Sequence, residues 1–528
     1  MILNIEIITS LSEPTAFFLK KNKVLINSDA FLSESFKMKF TFSEPIISLR
    51  DHDYLWKAPY ENYNAGVFAP KLLKLKNNYY IQANQAIGSW RLDINEDNVL
   101  YWCFNEINQN PITQYVGESN SRLINSLTEE IEVGKLSLLF SKSHGIEYSR
   151  SIVPFSGIIC FTDHCDFDSF ESLETLREFF KKMSIRTTKG FFLNHFSKRA
   201  ENASYENEKE ELQKWERDGH EMAYHSLTQS LRSQTEAFKE FELFKPEFSS
   251  KTWIDHGYQP YNLSLSSQFK ESYNYTIDSL QSKGVSYFWS YIDSGFATNG
   301  VINQLNPNQF TLKVFNKGIK KFVLKKRMAL SIKNLMFHYD ASSKQIDNYK
   351  SLASSLKKAL KQKSLKHVFQ LIQSAISIQK IFFTLLLKWK TTSKTVYPLS
   401  EYTPIVFKLN KSVYAFQTLE MTDFVEGLSK NNINILLKES GLCILHTYFS
   451  VRLEYHEGKL LQDEHTINPH VISNFQYLSE QVLKNKLWNP TLRELIEYLK
   501  QFYSLKLDID EEGAIFERSK TSLISRKV

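Results

Sequence analysis

Four cysteines in 528 residues (Cys103, Cys160, Cys165 and Cys443, at irregular spacing) are too few and too scattered for a disulfide framework. Nothing in them demands an oxidising compartment. No window reaches 18 uninterrupted apolar residues, so a plain membrane-spanning helix is not expected. The opening MILNIEIITSLSEPTAFFLKK lacks a basic segment before its apolar run, which Glu6 interrupts, so it does not read as a secretory signal. The expectation is a soluble, cytoplasmic protein, peripheral to a membrane at most. Internal repeats and low-complexity linkers are also missing.

What is present suffices for real cores. Hydrophobic residues make up 42% and aromatics 14%, which argues against a disordered chain. The length exceeds one ordinary core and predicts two or three domains. The net charge of +7 is local: residues 341–395 carry eleven Lys against one Asp, leaving the remainder slightly acidic.

Residues 1–148 read as a β-rich domain. Phe36–Phe42 alternates strictly, and Tyr79–Ile81 and Val99–Phe104 are further aromatic strands between Asn/Asp-rich turns. Asp51-His52-Asp53 reads as an exposed turn. From about 150 the rhythm becomes strand, then helix: Ser156–Phe161, Ser172–Lys182, Thr188–Leu193, then Ser204–Asp218 with Ser204 as N-cap, then His220–Ala223. Such alternation predicts parallel βαβ units, and in a barrel built from them the working residues lie at the C-terminal ends of strands. Residues 305–400 break the rhythm with a basic insertion whose 354–389 stretch is expected to be helical. The alternation then returns through Phe424–Lys438, Gly441–Leu445 and the helix Pro490–Tyr503. A barrel over 150–505, interrupted by 305–400, and a C-terminal tail over 506–528 complete the division.

Chemistry-bearing residues gather at the strand ends. Asp163, His164, Cys165, Asp166 and Asp168 occupy six positions after the apolar run Gly157–Phe161. Five groups able to bind a metal or carry a proton in that space form either an active site or a solvated turn. His220 to His225, His256, Trp289 to Asp293 and His446 follow other apolar runs, and strands in one barrel would bring these clusters to one rim.

The order of these motifs resembles the polysaccharide deacetylases of the NodB-homology type. Asp218-Gly219-His220-Glu221-Met222-Ala223-Tyr224-His225-Ser226 is similar to that family's D-G-H-E-I-G-N-H-T, and Gly190-Phe191-Phe192 precedes it. Phe161-Thr162-Asp163-His164 resembles T-F-D-D. Trp253 to Gly257, Phe288 to Asp293 and Cys443 to His446 stand in the places of the later motifs.

The resemblance implies a distorted (β/α) barrel and a divalent metal, usually zinc. The activity it implies is hydrolytic removal of an N-acetyl (acyl) group from an amino sugar in a polysaccharide or glycan precursor. Such a metal lowers the pKa of water from about 15.7 towards ~7. By position, Asp163 is the base, His446 the acid, His225 a metal ligand and Asp293 a supporting, substrate-side group. His164 replaces the family's second Asp as a ligand, with Asp166 as its alternative. Gln229 stands where the family has a second histidine, and His256 is placed to supply a missing imidazole. Trp253, Tyr258 and Trp289 suit stacking on a sugar. The Lys-rich segment 341–395 is expected to be a solvated helical face or to meet an anionic membrane surface. No nucleic-acid partner is expected, since no recognised module accompanies it.

Overall fold

The computed structural model describes residues 2–528 apart from 10–11, 107–108, 116–121, 270–272, 297–300, 325, 328–329, 332–405, 411 and 454–455. The Lys-rich segment 341–395 and the helix expected over 354–389 therefore lie outside the described residues. Among the described residues, no helix is long and apolar enough to cross a membrane.

The N-terminal part is two antiparallel sheets, one of six strands and one of seven, sharing one apolar core. The alternation of Phe36–Phe42 does what a two-faced strand should: Phe36, Met38, Phe40 and Phe42 are buried and the intervening residues are not. The Asp51-His52 turn is not exposed, contrary to expectation. Both residues are buried at the seam with the second domain, where His52 Nε2 lies 3.8 Å from Glu439. Arg150, 1% exposed, staples the same seam. It donates to the carbonyls of His52 and Phe68 on one side and of Ser440 on the other.

The second domain is a closed barrel of seven parallel strands. In chain order these are β1 (Gly157–Asp163), β2 (Thr188–Phe191), β3 (Glu221–His225), β4 (Thr252–Ile254), β5 (Tyr287–Phe296), β6 (Tyr414–Met421) and β7 (Leu442–Thr447). Thr162 pairs with Thr188 and Ile158 with Leu442, so β1 joins both ends of the sheet and closes it. A β-rich domain plus a β/α barrel is thus the architecture. Helix α1 (Phe170–Met183) starts at Ser169 with a reciprocal capping box, and α2 (Tyr205–Arg217) is capped by Ser204.

Each barrel strand is buried on both faces, and parity separates them. Ile158, Cys160, Ala223, Ile254, Trp289 and Ile444 share the inner cluster. Ile159, Phe161, Met222, Tyr224, Trp253 and Leu445 join the helices outside. Helix Leu492–Leu499, capped by Thr491, packs into the inner cluster at the N-terminal ends of the strands. Residues 506–528 are not a loose tail. Leu507–Ile509 pairs with Ile515–Glu517, and Ser525–Lys527 pairs with Ile146–Tyr148 of the first domain.

Candidate metal centre

Inner parity at the C-terminal ends of β1, β3 and β7 delivers His164, His225 and His446 to one point. His164 and His446 rings stack at 3.7 Å between centroids, and His164 meets His225 edge-on at 4.7 Å. His256, just past β4, lies 4.8 Å from His225 by the same measure. Asp166 enters from the loop after β1. Its Oδ2 is 3.1 Å from His225 Nε2, and its Oδ1 is 2.7 Å from His256 Nε2. One ligand atom each from His164, Asp166 and His225 lies within 4.8 Å of the others. His164 and Asp166, expected as alternatives, are both present.

Hydrogen bonding fixes the protons. His225 Nδ1 sits 3.2 Å from the Ile254 carbonyl, which can only accept, so Nδ1 carries the hydrogen and Nε2 a lone pair. Burial above all holds His225 down at about 4, which keeps it neutral at pH 7. That lone pair faces a carboxylate oxygen, and two acceptors in contact repel unless a cation lies between them. Ligand atoms ~2.0–2.2 Å from a common centre sit roughly 3.0–3.5 Å apart, and the His225–Asp166 pair has that spacing. His164 is held well below its ordinary range by burial and by the neighbouring His446 and His225. Its Nε2 is buried with no hydrogen-bond partner among the described residues. Burial works to raise Asp166, but His256 and His225 keep it well below the usual carboxylate range. Two imidazoles held neutral beside one ionised carboxylate fit a divalent cation.

Opposite stands a second pair. His446 Nδ1 lies 3.1 Å from both oxygens of Asp293, so its Nε2 faces inward, buried and unpartnered among the described residues. Burial lowers His446, yet Asp293 outweighs it and the net shift is upward. Thr418 donates to Asp293 and receives the indole N–H of Trp289, which fixes the carboxylate. Trp289 packs 4.8 Å from His164 and 4.5 Å from Tyr291, and Tyr291 meets Tyr115 at 5.2 Å. Tyr115 in turn packs 5.7 Å from the half-buried Tyr258. Ser226 and Tyr291 adopt left-handed backbone (φ 54° and 60°), the strain that often accompanies functional sites.

Three expected residues are not brought to the centre. Asp163 has outer parity. Its oxygens accept from Lys189 Nζ at 2.5 Å and from the Phe449 N–H at 3.0 Å, so it is no base here. Trp253, also of outer parity, is buried among the helices and donates to Asp255, away from any sugar. Gln229 donates to the Asp166 backbone carbonyl at 2.8 Å and accepts from Ser197; it shapes the loop and ligates nothing. Sequence reasoning missed Tyr448, 5.3 Å from His164, and Phe192, stacked 5.3 Å from His225. It also missed Tyr115, which reaches the barrel from a hairpin of the first domain.

No family model matches the chain, and no curated protein matches it. Among the solved structures found at low similarity are two of the Flavobacterium johnsoniae GH31 dextranase FjDex31A. One is complexed with glucose (8% identity) and one is a mutant complexed with isomaltotriose (7%), each with TM-score 0.24. The alignments cover 93% of this chain and 65% of theirs, so the chain spans just under two thirds of those proteins. These neighbours are glycoside hydrolases. The expected removal of an N-acetyl (acyl) group from an amino sugar is corrected: the comparisons return no deacetylase for this chain.

Proposed function

We propose that the inner rim of the barrel holds a divalent cation, and that the protein is a hydrolase acting on a carbohydrate there. Imidazole-rich sites with one carboxylate suit zinc. The order of the strand-end motifs supports a barrel related to the NodB type. One observation carries the metal reading: the lone pair of His225 Nε2 faces Asp166 Oδ2 at 3.1 Å while His164 Nε2 points at no partner among the described residues.

When bound, the cation supplies Lewis acidity, lowering the pKa of water from about 15.7 towards ~7. His225, Asp166 and His164 hold it, and His256 keeps Asp166 oriented. Across the site, Asp293 fixes the tautomer of His446 and favours its charged form. Nε2 is thereby aimed inward to give a proton to a leaving group. Trp289, Tyr291, Tyr115 and Tyr258 form an aromatic flank of the kind on which sugar rings stack.

Metal content per chain, measured after incubation with zinc and dialysis, tests the first half. About one equivalent in the wild type, lost in His225→Ala, is the expected result; a wild type that retains none sinks it. Hydrolysis of an oligosaccharide panel, followed by mass spectrometry, tests the second. His446→Ala should abolish turnover while keeping the metal.

A further inference from the structure

The seam between the two domains contains a cleft open to solvent, none of whose lining residues belongs to the histidine cluster. Phe68, Phe104, Phe310 and Tyr503 contribute to its apolar walls, and Asn64 and Glu129 are two of several polar residues that line it. Glu129 is half-buried, and no hydrogen bond or ion pair reaches its carboxylate among the described residues; burial raises it, and the opposing pull of Lys408 is the smaller of the two. Asn64 is 6% exposed, and both its amide oxygen and its amide nitrogen lack partners among the described residues. A buried polar group without a partner is costly, so such groups mark places that a ligand completes. The backbone leaves room for one. A Cβ built on Gly66, at the cleft wall, meets no atom within 4 Å.

We propose that this cleft binds a small organic ammonium ion, with Glu129 as its counter-ion, Asn64 as a hydrogen-bonding partner and the aromatic residues as its walls. A neutral ligand would leave the carboxylate uncompensated in a partly desolvated place. A bare inorganic cation would leave the apolar walls unused. An alkylammonium satisfies both, because its charge pairs with the carboxylate and its methyl groups lie against aromatic rings. The inference rests on none of the metal-centre reading.

Isothermal titration of the full-length protein with choline, and with its uncharged carbon isostere dimethylbutanol, tests it. Saturable choline binding is expected, with the isostere roughly tenfold or more weaker, the loss of about one charge contact. Glu129→Gln should weaken choline similarly, and Gly66→Leu, which fills the cleft and leaves the carboxylate in place, should abolish binding. Both variants should keep the wild-type circular dichroism spectrum and metal content. Should Gly66→Leu misfold, Gly66→Ala replaces it, with partial weakening expected. Equal affinity for choline and the isostere would overturn the proposal. So would unchanged binding in Glu129→Gln, no choline binding by the wild type, or binding of neutral sugars in the cleft that is indifferent to Glu129→Gln.

Discussion

Lys189→Met is the perturbation that most directly tests how the loop of the proposed metal centre is held. Lys189 is fully buried on the outer face of β2, where its ammonium bridges Asp163 and Asp168, which are 0% and 2% exposed. Those two acids bracket the loop that carries His164 and Asp166. Asp168 also accepts from Ser450 Oγ at 2.5 Å, and Asp163 from the Phe449 N–H, so the trio ties β1, β2 and the segment after β7 together. Removing the cation strands two carboxylates in a dry place. Breaking a buried pair by deleting one partner costs about 3–5 kcal/mol. Set against a domain stability of roughly 5–15 kcal/mol, that is about a fifth of the total or more. Urea unfolding should therefore show a large drop in midpoint for Lys189→Met, with loss of bound metal. Removing the stranded charges as well, in Lys189→Met/Asp163→Asn/Asp168→Asn, should restore most of the loss. A fall below about 1 kcal/mol in the single variant, or no recovery in the triple, would refute the account of a buried three-membered ion cluster.

Acid stability should report on His220, at the opposite end of β3 from the metal centre. Burial presses His220 down to about 4, and its Nδ1 accepts from the Thr187 N–H. The unfolded chain, with a histidine near ~6.5, takes up a proton that the native state refuses, so this contribution is complete above pH ~6.5 and is lost as pH falls towards 4. The difference is about 3 kcal/mol. Urea midpoints at neutral and acid pH should fall less in His220→Gln than in the wild type; equal slopes would count against it. Gly190→Ala should destabilise by roughly 1–3 kcal/mol, because a Cβ there comes within 2.3 Å of the Asp163 carbonyl oxygen across the β1–β2 pair. Equilibrium unfolding unchanged from wild type would contradict that geometry. Arg150→Met should leave seam carbonyls unpaired and loosen the two domains, at a cost of about 2–4 kcal/mol. Differential scanning calorimetry should then show two transitions, or one markedly lowered; a wild-type trace would show that the arginine is dispensable.

Much of the fold was legible because its signals are local. The alternation at Phe36–Phe42 requires no neighbour to be interpreted, and Ser204 and Thr491 announce their helices by side-chain chemistry alone. The histidines at the ends of β3 and β7 were legible for a similar reason, being polar residues that follow apolar runs. Asp163 was misassigned because a parallel barrel strand is buried on both faces. In Gly157–Asp163 the inner and outer residues are equally apolar, so hydropathy cannot say which side Asp163 takes. The same ambiguity displaced Trp253. Lys189 carried no warning either, since a mid-strand lysine reads as exposed until two acids from elsewhere are folded onto it. Tyr115 depends on a contact between domains, which no pattern within either domain encodes.

Parity makes the loop after β1 informative in a way that composition does not. Its outward acids, Asp163 and Asp168, meet a built-in cation in Lys189, and that cluster is complete as folded. Its inward residues, His164 and Asp166, meet imidazoles that burial keeps neutral or that Asp166 itself occupies. Asp166 meets His256 at 2.7 Å rather than a lysine or arginine, and a lone pair of His225 beside the same carboxylate is a cost that no protein cation among the described residues offsets. Only the inward face lacks one among the described residues, and it opens on the aromatic rim. The inward face of the same six-residue loop is therefore the proposed metal site, because the His225 lone pair beside Asp166 and the His164 Nε2 find no donor or cation among the described residues.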